Sequence, residues 1–171
     1  QAAFASRGVD RVVVSTDDDA IAAAARSHGA DVVRRPEHLA GDTASSESAL
    51  LHALEQLSTA GPLPPRLVFL QCTSPFTSGE QIDQVLAALD APAVNSSFAV
   101  APWHGFLWRG DGRGINHDPQ MPSQRRQDLE PAYLETGAIY AMDTAAFRAS
   151  GSRFCPPWQP VVLQHPGPEI D

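Results

Sequence analysis

An α/β fold with a largely parallel sheet is what this chain predicts, and three observations predict it. Short β-branched or apolar runs alternate with segments that place apolar residues every three or four positions. Most junctions between them carry helix-capping residues. The run Leu67-Val68-Phe69-Leu70 has no polar interruption, as expected of a strand covered on both faces.

Taken in order, Arg11 to Ser15 reads as a strand built on Val12, Val13 and Val14, and Ser15-Thr16-Asp17-Asp18-Asp19 supplies the N-cap of a helix. That helix is expected to carry Ile21, Ala24, Ala25 and His28 on one face and to stop at Gly29. Val32-Val33 is a second short strand. Ser45-Ser46 precede a helix with Leu50, Leu51, Leu54 and Leu57 on one side, closed by Gly61-Pro62. Beyond the Leu67 strand, Ser78 and Gln81 form a capping-box pattern that opens a helix through Ile82, Val85, Leu86 and Leu89. Ala93 to Pro102 is another strand. Gly, Pro, Trp and Arg then break the rhythm until about residue 135, which reads as an insertion. Gly137 to Met142 resumes as a strand, Asp143 caps a short helix toward Phe147, and Val161-Val162-Leu163 is the last strand.

With 171 residues, the chain suits one domain able to bury roughly 70% of its unfolded surface. Its 43% hydrophobic and 19% charged content argues against disorder, and no apolar run approaches the ~20 residues of a membrane span. The net charge of −8 disfavours nucleic-acid or anionic-membrane partners, so any anionic ligand must be met locally. All twelve basic residues are arginine, which excludes a lysine Schiff base, a P-loop lysine and a lysine nucleophile within this sequence. Cys72 and Cys155 have no metal-type spacing and read as reduced thiols of a cytoplasmic protein.

In open α/β sheets ligands bind outside the carboxyl ends of strands, and several polar segments fall there. The segment from Arg34 and Arg35 through Asp42 to Ser46 joins a strand to a helix whose N-terminal amides can hold an anion; a capped helix after a polar loop would look the same. Gln71-Cys72-Thr73-Ser74-Pro75 leaves a strand, with Gln71 and Thr73 expected on one side and Cys72 as a small packed residue. Arg125-Arg126-Gln127-Asp128 is either a solvated turn or a bidentate carboxylate site. Glu169 and Asp171 alternate along an extended segment, so both carboxylates could reach one Mg²⁺, and a frayed acidic tail is an equal reading.

Together, and in this order, these segments resemble the cytidylyltransferases of nonulosonic acids, the CMP-sialic acid (acylneuraminate) synthetase family. The resemblance implies a single Rossmann-like nucleotidyltransferase domain over residues 1–171. It would be a three-layer sandwich with a mostly parallel sheet and a dimerisation insertion at about 103–135. It implies a reaction of CTP with a nonulosonic acid to give a CMP-sugar and pyrophosphate, in a homodimer. Arg35 and Ser46, with Ser45 beside them, would bind the nucleotide. Gln71, Thr73, Ser74, Arg125, Arg126 and Tyr140 would bind the sugar, Arg126 taking its carboxylate within one subunit or across the dimer. Glu169 and Asp171 would hold Mg²⁺, which makes Arg126 and Asp171 the expected catalytic pair. Tyr140 reads equally as a core tyrosine.

This sequence departs from the family pattern at Cys72, where proline is usual, at Thr136, where asparagine is usual, and at Trp108, near the place of a lysine in some members. Trp103, Phe106 and Trp108 are expected first as a dimer-interface cluster and second as a sugar platform. The family's glycine-rich nucleotide loop has no counterpart here, so the chain is expected to be an N-terminally incomplete fragment with little turnover alone. A cytidylyltransferase for another 3-deoxy-2-keto sugar acid, or a non-catalytic sugar-binding or dimerisation module, are the other readings.

Overall fold

The computed structural model describes residues 1–41, 43–121, 125 and 130–163. The helices are α1 (Ala2–Ala5), α2 (Asp19–Ser27), α3 (Ser46–Ser58), α4 (Gly79–Ala87) and α5 (Thr144–Ser150). The strands are β1 (Val13–Thr16), β2 (Asp31–Arg34), β3 (Arg66–Leu70), β4 (Ser96–Trp103), β5 (Ala132–Asp143) and β6 (Trp158–Val162).

Local chemistry sets the helix starts. Asp18 caps α2 by accepting from Ile21 N, Ser45 caps α3 by accepting from Ser48 N, and Asp143 caps α5 by accepting from Ala146 N. The capping box of Ser78 and Gln81 closes in both directions at the start of α4. One helix face differs from expectation. Ala22 is the buried residue of α2, whereas Ile21 is 53% exposed and Ala24 is exposed, because α2 covers only the narrow β1–β2 pair.

The strands form two sheets among the described residues. β1 and β2 pair in parallel, with Val14 opposite Val32, as a strand–helix–strand unit requires. The second sheet has the order β3-β5-β4-β6. β3, β4 and β6 run together, while β5 lies between β3 and β4 antiparallel to both. The sheet is therefore mixed. Among the described residues between β4 and β5 there is no crossover helix, and a return of that kind permits antiparallel pairing. β3 is half-buried instead of buried because it is the end strand of this sheet, bordered by β5 alone.

Both faces of the four-stranded sheet are packed, giving three layers. Ile139 and Ala141 of β5 point to one side and meet Ile82, Val85, Leu86 and Leu89 of the α4 region. Tyr140 and Met142 point to the other and meet Leu54 of α3, Phe147 of α5 and Cys155. The two-residue period of a strand divides the core in this way. The fully buried hydroxyls of Ser96 and Ser97 are both satisfied, donating to Cys155 O at 3.0 Å and Val85 O at 2.6 Å. α1 crosses the start of α4 so closely that a Cβ on Gly79 would lie 2.6 Å from the Ala5 carbonyl carbon.

The described residues that follow β4, in the segment expected as an insertion, have structure of their own. Trp108 bridges Gly114 in an antiparallel turn, and His117 lies against Phe106 and Trp108, with ring centroids 4.8 and 4.5 Å away. Trp108 remains 54% exposed. No helix among the described residues is long and apolar enough to cross a membrane.

Candidate functional site

Arg35 immediately follows β2 and is tied back to the end of β1. Its amide donates to Thr16 O at 2.9 Å, its Nη2 to Ser15 O at 2.6 Å and its Nε to Ser15 Oγ at 3.2 Å. All of these acceptors are neutral. Among the described residues no carboxylate pairs with Arg35, so its half-buried guanidinium keeps its net positive charge at the carboxyl end of two strands. Ser45 and Ser46 mark the start of α3, and Ser45 Oγ is committed to its cap at 3.1 Å from Ser48 N. Asp42 lies outside the described residues.

At the end of β3, Gln71 takes a last backbone bond from its amide to Ala138 O at 3.1 Å. With its side-chain amide oriented to satisfy both neighbours, its nitrogen donates to Gly137 O at 2.9 Å and its oxygen accepts from Arg153 Nη1 at 3.3 Å. The chain then turns, with Ser74 N donating to Gln71 O and Thr77 Oγ1 to Ser74 O. Strand alternation therefore ends at Leu70. Cys72 is exposed instead of packed, Thr73 is exposed, and Ser74 is half-buried within the turn.

Tyr140 is 2% exposed and belongs to the core on the α3/α5 face, with its hydroxyl donating to Glu135. Burial first, and then the bond to Glu135, push its phenol up to about 12. Thr136, in the asparagine position, donates to Ala99 O at 3.1 Å where β4 is irregular between Phe98 and Val100. Gly137 has φ +69, the left-handed region that favours glycine, and it sets the carbonyl that receives Gln71.

The residue missed by sequence reading is Arg153, in the loop after α5. Its Nε donates to Glu47 Oε1 of α3 at 2.6 Å, with side-chain exposures of 15% and 22%. Its guanidinium carbon lies 4.8 Å from the centre of the Tyr140 ring and 5.3 Å from that of Phe69. The hydrogen bond from Arg153 holds the Glu47 carboxyl below its ordinary value, and Glu47 raises Arg153 in return. Lone Arg and Glu residues 106 positions apart carry no local pattern, so nothing in the sequence pointed to them.

Arg125 is exposed, and Arg126, Glu169 and Asp171 lie outside the described residues. The remaining predicted residues fall into two groups, Arg35 with Ser45 and Ser46 at β1, β2 and α3, and Gln71, Thr73 and Ser74 at the end of β3 with Tyr140 beneath. Arg153 and Glu47 connect α3 to the second group. Among the described residues no His, Cys, Asp and Glu cluster could hold a metal ion.

The family model described as "Cytidylyltransferase" matches residues 1–106. The N-acylneuraminate cytidylyltransferase of Oncorhynchus mykiss is 30% identical over 82% of this chain and 33% of its own length. The 3-deoxy-manno-octulosonate cytidylyltransferase of Anaeromyxobacter dehalogenans is 31% identical over 88% of this chain and 63% of its own. This chain thus spans a third to under two thirds of these relatives. Among solved structures, a CMP:2-keto-3-deoxy-manno-octonic acid synthetase complexed with CTP superposes with a TM-score of 0.63, at 14% identity, over 95% of this chain and 76% of that one. The architecture is accordingly that of a Rossmann-like nucleotidyltransferase.

Proposed function

We infer that this chain, which belongs to the cytidylyltransferase family, serves the transfer of a cytidylyl group from CTP to a nonulosonic acid of the sialic-acid type. In this reaction the sugar's anomeric oxygen attacks the α-phosphorus, the new P–O bond forms in line, and pyrophosphate leaves. The observation that carries the reading is Arg35: an arginine with no carboxylate partner among the described residues, oriented by two bonds to Ser15 at the carboxyl ends of β1 and β2. Such a group attracts a phosphate or a base carbonyl, and the adjacent start of α3, with Ser45 and Ser46, adds helix N-terminal amides.

Gln71, Thr73 and Ser74 are assigned to the sugar, and Arg125 and Arg126 to its carboxylate, with Arg126 available to a neighbouring subunit. We assign Mg²⁺ to Glu169 and Asp171; when bound it would offset charge on the phosphoryl oxygens. A homodimer working in the cytoplasm is part of the same proposal, with Leu107, Trp108 and Ile115 on the insertion as exposed apolar residues suited to a subunit contact. The similarity to a 3-deoxy-manno-octulosonate enzyme supports a second reading, another 3-deoxy-2-keto sugar acid as acceptor.

The test is calorimetric titration of the chain with CTP and Mg²⁺, with Arg35→Ala as control. Saturable binding lost in the variant supports the nucleotide assignment, and equal binding by both proteins overturns it. A panel of 2-keto sugar acids then separates the two acceptor readings.

A further inference from the structure

Arg153 has more partners than a surface clamp needs. One fork atom meets Glu47 in the first turn of α3, another meets the side-chain oxygen of Gln71, and the guanidinium carbon sits over the rings of Tyr140 and Phe69. Gln71 is held from both ends as a result, its oxygen by Arg153 and its nitrogen by the Gly137 carbonyl. An amide rotated by half a turn would set its nitrogen against the guanidinium and its oxygen against a carbonyl, so both contacts would become repulsive. The charge of Arg153 is spent on Glu47, which leaves this guanidinium poorly suited to be a ligand-binding cation itself.

We propose that Arg153 is a positioning residue for the acid-sugar pocket: it fixes the place and the polarity of the Gln71 amide and ties that amide to the first turn of α3, where the nucleotide is assigned. What Gln71 touches rests on the sugar-acid reading above; how Gln71 is held does not. A lysine cannot replace Arg153, because a single ammonium lacks the planar fork that spans Glu47 and Gln71 while lying on two rings.

The test uses the full chain labelled with ¹⁵N. The Gln71 side-chain amide pair, identified by its loss in Gln71→Met, should exchange with solvent about tenfold more slowly than that of exposed Gln56, as a held amide does. In Arg153→Lys this protection should vanish while the backbone amides of β3 and β5 keep their shifts. Wild-type Gln71 exchanging as fast as Gln56, or protection retained in Arg153→Lys, overturns the proposal, and the first of these needs no variant to fold. N-acetylneuraminic acid is then titrated as the probe. Arg153→Lys should weaken it about tenfold, since a misplaced amide forfeits about one hydrogen bond. CTP affinity should stay within about twofold, and Arg153→Lys should cost nothing further in a Gln71→Met background. Additive losses in that double variant would mean that Arg153 acts independently of Gln71, and the proposal fails. If the wild type binds no acid sugar, the sugar-acid reading is what fails, and the exchange measurement alone decides how Gln71 is held.

Discussion

Arg35 and Arg153 are both half-buried arginines in loops, yet their surroundings are opposite in charge. Arg35 donates to a carbonyl and a hydroxyl of Ser15, both neutral, whereas Arg153 donates to the Glu47 carboxylate. A guanidinium satisfied in hydrogen bonds but not in charge still attracts an anion. One satisfied in both is a fastener. The difference teaches that partner charge, not burial, separates the arginine proposed to meet CTP from the one that fastens α3 to the loop after α5.

The strongest way to break that contrast is to remove each arginine and ask what is lost. Arg35→Ala should weaken CTP binding by roughly 10- to 100-fold in calorimetry, the value of a hydrogen bond to a charged group, with little change in urea stability. Arg153→Met should do the reverse, lowering unfolding free energy by about 2 kcal/mol in urea because a mostly buried Glu47 is left without its partner. If both variants lose the same property, the contrast is wrong.

The pH dependence sharpens the second case. Glu47 is held below its ordinary value of 4.5 in the folded chain, chiefly by the bond from Arg153. Its contribution is therefore complete above about 4.5 and is lost as pH falls through the lowered folded value. Arg153→Met should flatten that acid limb of stability, measured by urea unfolding at a series of pH values, and an unchanged limb would contradict the pairing.

Two smaller effects probe the support of Arg153. Asp143→Ala removes the cap of α5, the helix that leads into the Arg153 loop, and should cost about 1 kcal/mol in thermal unfolding without affecting CTP binding. Tyr140, whose ring lies under Arg153, stays protonated in the folded chain to about 12. Unfolded tyrosine releases its proton near 10, so stability should decline as pH rises from about 10 toward 12. Tyr140→Phe should remove that decline in alkaline unfolding curves.

Much of the fold was legible in sequence because it is written in neighbours. The caps at Ser45, Ser78 and Asp143 depend on residues three positions on, and the strands at Val13, Leu67 and Ile139 depend on short apolar runs. The buried face of α2 was misread because Ile21 and Ala22 are equally compatible with helix, and only the layer beneath decides which is covered. The turn after Gln71 likewise ended an alternation that residue types alone would have continued.

Sequence by itself determined the α/β class, the order of strands and helices along the chain, and Arg35 as an arginine at a strand end, since each rests on patterns within a few residues. Tertiary structure alone decided the reversal of β5 between β3 and β4, the division of the described strands into two sheets, and the meeting of Arg153 with Glu47 and Gln71. Those depend on which distant segments pack together. Such packing is selected by burial over the whole molecule and leaves no periodic trace in any one stretch of chain.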